Sequence, residues 1–281
     1  MSINPFVSTE WLAAHLDDPK VVVVDASWYL PHAGRVGRAE YLNGHIPGAV
    51  FFGIDDIADK ATHLPHMLPS PEAFAAEVGV LGIADTDTIV VYDEHGLYSA
   101  PRVWWTFRTM GASDVRILAG GGPKWRREGR MLQSGNPGRT PRTFNASYRP
   151  GMVASFAQMF EHMSAGNRQI ADARPGPRFR AEAPEPRPGL KSGHIPGSLS
   201  VPYDTLTDTD GQLKTAAQLQ DIFRKTGLDL DKPIAALCGS GVTAATLSLA
   251  LETAGARDVS LYDGSWAEWA QPDSGGAVET G

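Results

Sequence analysis

Residues 233–252 have the sequence PIAALCGSGVTAATLSLALE. The apolar run before Cys238 predicts a buried parallel strand, and the run after the glycines predicts a helix. Cys238, the only cysteine of the chain, is therefore expected at the C-terminal end of a strand, on a tight loop that leads into a helix. Converging backbone N–H groups and the positive end of the helix dipole favour an anion at such a place. Because a thiolate is an anion, the loop indicates a reactive cysteine rather than a small buried apolar side chain.

The chain also contains an internal repeat. GHIPGAV at 44–50 recurs as GHIPGSL at 193–199, and each copy follows an apolar run that ends in Asp-Ala, VVVVDA at 21–26 and QIADA at 169–173. Strand-like runs, helix-like runs and glycine turns alternate in both halves. This alternation predicts α/β units around a mostly parallel sheet in each half.

The two halves differ where chemistry is expected. The predicted strand TIVVY at 88–92 ends at Asp93, which falls where the second half has Cys238. The first half therefore keeps the scaffold without the nucleophile. We predict an N-terminal, non-catalytic domain over 1–137, a Pro/Gly-rich linker over 138–150 and a C-terminal catalytic domain over 151–281.

Composition narrows the class of protein. The 281 residues carry a net charge of −7, which argues against a nucleic-acid or anionic-membrane partner. A single cysteine excludes an intrachain disulfide and a metal site built on several thiolates, and the eight histidines lack ligand spacing. The first residues lack the pattern of a secretory signal, and no apolar run reaches the length of a membrane span. We therefore expect a cytoplasmic enzyme without a metal or other cofactor.

The repeat, the paired GHIPG segments and the loop CGSGVT at 238–243 together resemble the tandem-domain rhodanese superfamily. Within it, the loop is similar to that of the 3-mercaptopyruvate sulfurtransferases. The resemblance implies two tandem rhodanese-like domains and a persulfide on Cys238. It also implies sulfur transfer from 3-mercaptopyruvate to an external thiol, a thioredoxin-like protein or cyanide, with release of pyruvate.

The resemblance also implies a substrate clamp. Arg178 and Arg187, in a Pro-rich loop after the second half's first strand, match the pair that grips the substrate's carboxylate and carbonyl. Guanidinium groups suit a 2-oxo acid because they hold planar oxygen pairs bidentately. The alternative is that both are surface arginines paired with Glu182 or Glu185. Arg180, between them, has no counterpart in the family and is expected to be structural.

The remaining predicted site residues belong to the loop and to a proton relay. We expect the amides of Gly239, Gly241, Val242 and Thr243 to bind the substrate or persulfide sulfur. Thr243 is also expected to cap the following helix or to hydrogen-bond within the loop. The resemblance implies a Ser240-His66-Asp55 relay, with the histidine and the aspartate from the first half.

The same residues bear on three other functions. A thiosulfate sulfurtransferase would share the fold and the persulfide, but its dianionic donor favours cations directly after the cysteine, where Gly239 and Ser240 stand. A cysteine phosphatase needs an arginine six residues after the cysteine, where this chain has Ala244. A binding module without activity is disfavoured because Cys238 is present.

Overall fold

Two sheets, each built from five parallel strands, form the framework of the computed structural model, which describes residues 5–281. The chain divides into two compact units. The first holds the described residues up to Lys60, Leu68–Arg149 and Thr209–Gln212, and the second holds Ala61–Met67, Pro150–Asp208 and Leu213–Gly281. The predicted architecture, two tandem α/β domains that each contain a mostly parallel sheet, is confirmed.

The first sheet has the order β1-β5-β4-β2-β3. Its strands are β1 (Phe6–Val7), β2 (Val21–Asp25), β3 (Val50–Phe51), β4 (Thr88–Tyr92) and β5 (Asp114–Leu118). The helices of this unit are α1 (Thr9–His15), α2 (Gly37–Asn43), α3 (Pro71–Val80), α4 (Ala100–Thr109) and α5 (Gly121–Arg127).

The second sheet repeats this order as β6-β10-β9-β7-β8. Its strands are β6 (Val153–Ala154), β7 (Gln169–Asp172), β8 (Leu199–Ser200), β9 (Ile234–Leu237) and β10 (Val259–Tyr262). The helices of this unit are α6 (Phe156–Ala165), α7 (Gly176–Phe179), α8 (Ala216–Lys225), α9 (Val242–Ala254) and α10 (Ser265–Trp269).

The central strands owe their position to continuous apolar runs. All five residues of β2 and all four of β9 are buried, as expected for parallel strands covered on both faces. Helix α9, rich in alanine and leucine, is buried over nearly its whole length, and such an apolar helix belongs in a core. Trp266 and Trp269 pack with Ile170, Leu237 and Tyr262 in a core cluster of the second unit.

The strand order decides where a ligand can bind. In the second sheet β7 and β9 are neighbours, yet the chain leaves β7 towards β8 and leaves β9 towards β10, on opposite sides. Open parallel sheets bind ligands beyond the carboxyl ends of such a strand pair. Asp172 pairs with Leu237 at these ends, so Cys238 and the residues after Asp172 enter this crevice.

Candidate active site

Cys238 lies directly after β9, and its residue surface is 2% exposed. Its backbone N–H donates to Ser265 Oγ at 3.2 Å, and its carbonyl accepts from the Trp266 N–H at 3.0 Å. The next carbonyl, that of Gly239, accepts from the Ala267 N–H at 2.9 Å. The first residues of α10 therefore fix the backbone of Cys238 and Gly239.

Ser265 is a site residue that the sequence analysis missed. Its φ is +51°, in the left-handed region that favours glycine, and its Oγ also donates to the Tyr262 carbonyl at 2.8 Å. The repeat places Gly121, with φ +55°, at the same position of the first unit. The sequence contains a signal for this residue, since the repeat has glycine at one copy of the position and serine at the other. The left-handed conformation is unfavourable for serine, and the hydrogen bonds of its hydroxyl compensate for that cost.

Helix α9 begins at Val242, and the residue before it, Gly241, has φ +81°. Thr243 therefore lies inside the first turn, and the prediction that it caps the helix was wrong: glycine at 241 supplies the left-handed turn. The amides of the first helical turn have no acceptor within their own helix. They and the dipole of this 13-residue helix are directed at the loop of Cys238.

Arg178, near the end of α7, reaches the residue that follows Cys238. A Cβ atom placed on Gly239 would lie 3.1 Å from Arg178 Nη2 and 3.8 Å from its Nη1. The absence of a side chain at 239 therefore leaves the room in which the guanidinium group lies. The Arg178 side chain is 20% exposed.

Arg187 reaches the next residue of the same loop. Its Nη2 donates to Ser240 Oγ at 3.2 Å. The structure thus brings both predicted clamp arginines, from the segment after β7, to the two residues that follow the cysteine. Two guanidinium groups therefore lie beside the cysteine loop although the whole chain is acidic.

Behind Arg178 lies a buried chain of charges, here called the carboxylate–arginine cluster: Asp172, Arg174, Glu185 and Arg178. Arg174 binds Asp172 side-on, with Nη2 at 2.6 Å from Oδ2, and its Nη1 donates to Glu185 Oε1 at 3.0 Å. Glu185 also accepts from Arg178, whose Nε lies 3.3 Å from Oε1 and whose Nη2 lies 2.5 Å from Oε2. Burial opposes the charge of Arg174, but the ion pairs with Asp172 and Glu185 outweigh it and raise its pKa above the usual range.

The cluster corrects the alternative reading of Arg178 as a surface arginine. Arg178 does pair with Glu185, but that carboxylate is only 3% exposed and Arg174 is completely buried. Arg180 is different. It pairs with Glu182 at 2.7 Å in an exposed ion pair, which agrees with the structural role expected for it.

The two repeated histidines hold backbone. His45 Nδ1 lies 2.7 Å from the Tyr41 carbonyl, and His194 Nδ1 lies 2.9 Å from the Phe179 carbonyl. Both imidazoles are buried, and they occupy equivalent positions in the two copies of the fold. These contacts, and the presence of one of the two histidines in the copy that lacks a cysteine, indicate a structural role for both.

Asp55 and His66, the other predicted relay residues, belong to different units. Asp55 lies in the first unit, where it is exposed and its Oδ2 accepts from Trp28 Nε1 at 2.7 Å. His66 is buried, has a left-handed φ of +63° and lies in the segment Ala61–Met67, which belongs to the second unit. The sequence analysis assigned both residues to the first half.

Among residues 5–281, no group of three or more His, Cys, Asp or Glu side chains is arranged to hold a metal ion. In the same part of the chain, no helix has the length and apolar character that a membrane crossing requires.

Comparison with known proteins places this geometry in a family. Residues 8–128 and 155–272 each match the Rhodanese-like domain. The chain belongs to the rhodanese family. Both copies of the repeat are thereby accounted for, and the resemblance drawn from the CGSGVT loop is confirmed.

Individual relatives extend over the full length. The 3-mercaptopyruvate sulfurtransferase of Escherichia coli K12 is 47% identical over 270 residues, 96% of each chain. The bovine thiosulfate sulfurtransferase is 41% identical and covers 94% of this chain and 91% of its own. The crystal structure of SseA from Escherichia coli, a 3-mercaptopyruvate sulfotransferase, matches with a TM-score of 0.87 and 45% identity over 94% of this chain and 99% of its own. The rhodanese-family chain described here is a sulfurtransferase enzyme.

Proposed function

We propose that this sulfurtransferase takes sulfur from 3-mercaptopyruvate, carries it as a persulfide on Cys238 and releases pyruvate. The observation that carries the proposal is the placement of Arg178 and Arg187 beside Gly239 and Ser240, directly after the nucleophile. A 2-oxo acid offers a carboxylate and a carbonyl oxygen, and two planar guanidinium groups can bind both.

The first half-reaction breaks the carbon–sulfur bond of the donor. The Cys238 thiolate attacks the donor's sulfur, so that a sulfur–sulfur bond forms while the bond between that sulfur and C3 of 3-mercaptopyruvate breaks. The electron pair of the broken bond goes to the three-carbon fragment and gives the enolate of pyruvate. The sulfur keeps its hydrogen as part of the persulfide, and a proton taken up at C3 completes pyruvate.

Negative charge grows on the donor's carbonyl oxygen during this step. Arg178 and Arg187 stabilise that oxygen and the neighbouring carboxylate, and their effect is large because they are fixed before the reaction begins. The amides of the loop and of the first turn of α9 stabilise the thiolate and later the outer sulfur of the persulfide.

We propose that Ser240 transfers protons during the reaction. His66 and Asp55 are assigned to the same relay, as the family resemblance predicts. The Arg187 guanidinium donates to Ser240 Oγ, so this oxygen acts as an acceptor while its own hydrogen can be donated onwards. A hydroxyl polarised in this way is a stronger donor. Ser240 is therefore suited to donate towards the donor's carbonyl oxygen.

The second half-reaction transfers the outer sulfur to an acceptor. With only one cysteine, the chain cannot form an internal disulfide with its own persulfide. The acceptor must therefore be external. We propose a small thiol, cyanide or the dithiol of a thioredoxin-like protein, and we propose that the enzyme acts in the cytoplasm.

One observation also favours a second donor, thiosulfate. The arginines beside Gly239 and Ser240 provide positive charge that a dianion would meet, even though residues 239 and 240 carry none. The planar geometry of the two forks and the uncharged loop favour the 2-oxo acid as the better substrate.

Steady-state kinetics with both donors and one common acceptor, cyanide, tests the proposal. We expect a higher kcat/KM for 3-mercaptopyruvate than for thiosulfate, with one pyruvate formed for each sulfur transferred. A higher kcat/KM for thiosulfate, or thiocyanate formed from 3-mercaptopyruvate without pyruvate, would contradict the proposed donor.

A further inference from the structure

Glu185, in a Pro-rich loop, combines three properties. Its carboxylate is 3% exposed, it bridges two arginines, and it binds one of them, Arg178, along the side-on edge formed by Nε and Nη2. Burying a carboxylate is unfavourable unless charged partners surround it. Here Arg174 and Arg178 supply these partners.

The bond to Glu185 decides how Arg178 is oriented. Because Glu185 occupies the side-on edge, the end-on edge formed by Nη1 and Nη2 lies beside Gly239, at 3.8 and 3.1 Å from the position of a Cβ. An end-on guanidinium edge binds a second pair of oxygen atoms. Without its carboxylate partner, a side chain that is 20% exposed has room to turn towards solvent.

The anchor of Glu185 is itself rigid. Arg174 is completely buried, binds Asp172 at the end of β7 and lies with its Cζ 3.9 Å above the ring of Trp266. Its Nη2 also donates to the Gly193 carbonyl at 2.7 Å. The orientation of Arg178 is thus connected through Glu185 and Arg174 to the end of a central strand.

We propose that Glu185 is a positioning residue, which holds the Arg178 guanidinium with its end-on edge towards the anion bound at Cys238. The identity of that anion as 3-mercaptopyruvate rests on the proposed function. Glu185 acts through Arg178 and does not itself touch the substrate.

The kinetic test compares Glu185→Gln with Glu182→Gln, alone and in an Arg178→Gln background. The amide at 185 keeps the size of the side chain but turns an N–H towards a guanidinium. We expect Glu185→Gln to lower kcat/KM for 3-mercaptopyruvate about 10-fold, through a higher KM and a lower kcat, because the misplaced Arg178 holds both the donor's carboxylate and its developing oxyanion. Glu182→Gln, which changes only the exposed pair with Arg180, should leave kcat/KM within about 2-fold.

The double variant distinguishes positioning from a general loss of structure. If Glu185 acts through Arg178, adding Glu185→Gln to Arg178→Gln changes kcat/KM by less than about 2-fold. An equal effect in both backgrounds, or wild-type kinetics of Glu185→Gln, would overturn the proposal. If thermal unfolding shows that Glu185→Gln does not fold, Glu185→Asp replaces it in both backgrounds. Its shorter carboxylate should raise KM less than the amide does. In the Arg178→Gln background, Glu185→Asp should have no effect on KM.

A substrate-free measurement separates this proposal from the proposed function. Cys238 is alkylated with anionic iodoacetate and with neutral iodoacetamide, and the ratio of the two rates reports the cation beside the thiol. We expect Glu185→Gln to lower this ratio about 3-fold or more, because Arg178 leaves its position. If Glu185 only neutralised Arg178, the ratio would rise, and that result would overturn the proposal. The two proposals can fail separately. If the wild-type chain does not use 3-mercaptopyruvate but Glu185→Gln still lowers the alkylation ratio, the proposed donor is wrong and the role of Glu185 is supported.

Discussion

The loops after β4 and β9 lie at equivalent positions in the two copies of the fold. Both positions favour an anion, but the two loops supply it in different ways. In the first unit the carboxylate of Asp93 fills the loop and is completely buried. It accepts hydrogen bonds of 2.6 to 2.9 Å from the backbone N–H groups of five residues: His95, Gly96, Tyr98, Ser99 and Ala100.

The difference between the two loops indicates the function of this strand end. Six residues separate Asp93 from α4, and they wrap around its carboxylate, whereas three separate Cys238 from α9. The amides after β4 serve a permanent internal anion. We interpret the loop after β9 as the same kind of anion site, in which a thiol replaces the carboxylate and substrate charge is accommodated during turnover.

A second difference lies one strand away. The carboxylate that ends β2, Asp25, accepts from Tyr92 Oη at 2.7 Å and from the Ser27 N–H at 2.9 Å. The one that ends β7, Asp172, binds Arg174 and through it the carboxylate–arginine cluster. The backbone N–H of Arg174 donates to Asp172 at 2.9 Å as that of Ser27 donates to Asp25, so the arginine keeps the local hydrogen bond and adds a side chain that supports the clamp.

The largest effect is expected from the nucleophile. Cys238→Ser should lower sulfur transfer from every donor by at least about 10⁴-fold, because a serine hydroxyl at this place is neither an anion nor a sulfur nucleophile. The fold should be retained, since serine is nearly isosteric, and circular dichroism checks this. Residual activity near the wild-type level would remove the distinction between the two loops.

The clamp arginines should come next. Arg178→Lys and Arg187→Lys should each lower kcat/KM for 3-mercaptopyruvate by about 30- to 1000-fold, or about 2–4 kcal/mol, because an ammonium group cannot form a planar fork. Arg180→Lys is the matched control and should change kcat/KM only slightly, since its partner Glu182 is exposed. Equal sensitivity of all three positions would contradict the clamp.

Asp93→Ala should destabilise the first unit by about 3–5 kcal/mol, because it leaves several buried N–H groups without their acceptor. Urea unfolding of the two proteins measures this, and Asp93→Asn, which keeps one carbonyl oxygen, should cost less. The kcat/KM of the folded variant should stay within about 2-fold of wild type. A loss of less than about 1 kcal/mol would show that the Asp93 loop does not depend on its internal anion.

The smallest expected effect concerns pH. Burial raises the pKa of Asp25 from 3.8 to about 6, against the lowering effect of its hydrogen bonds with Ser27 and Tyr92. The folded state therefore holds this proton more tightly, so the group's contribution to stability is complete below about pH 4 and is lost as pH rises through about 6. Relative to Asp25→Asn, wild type should lose about 2–3 kcal/mol of unfolding free energy between pH 4 and 7.

Urea unfolding of both proteins at four pH values in this range gives the difference, in which the other titrating groups cancel. A difference that stays constant with pH, or grows in favour of wild type, would show that Asp25 is not held as described.

The sequence predicted the framework because the framework depends on local patterns. The runs at 21–26 and 88–92 are rich in β-branched residues and bounded by turns, and the strands occur at Val21–Asp25 and Thr88–Tyr92. The site was predictable where a motif carries it, as in Cys238 and the loop after it. Contacts decided by folding were not predictable. The left-handed backbone of Ser265 and the burial of Glu185 follow from packing that no sequence motif encodes. Thr243 was mistaken for a cap because glycine at 241 was not expected to end the loop.

The central claim, that only the second of the two loops carries sulfur, is tested most directly by mass spectrometry after a single turnover. The enzyme is mixed with one equivalent of 3-mercaptopyruvate without acceptor, and the protein mass, its peptides and free pyruvate are measured together. We expect one added sulfur atom per chain, located on the peptide of Cys238, one equivalent of pyruvate, and neither product with Cys238→Ser. Pyruvate without added sulfur, or added sulfur on Cys238→Ser, would contradict the account.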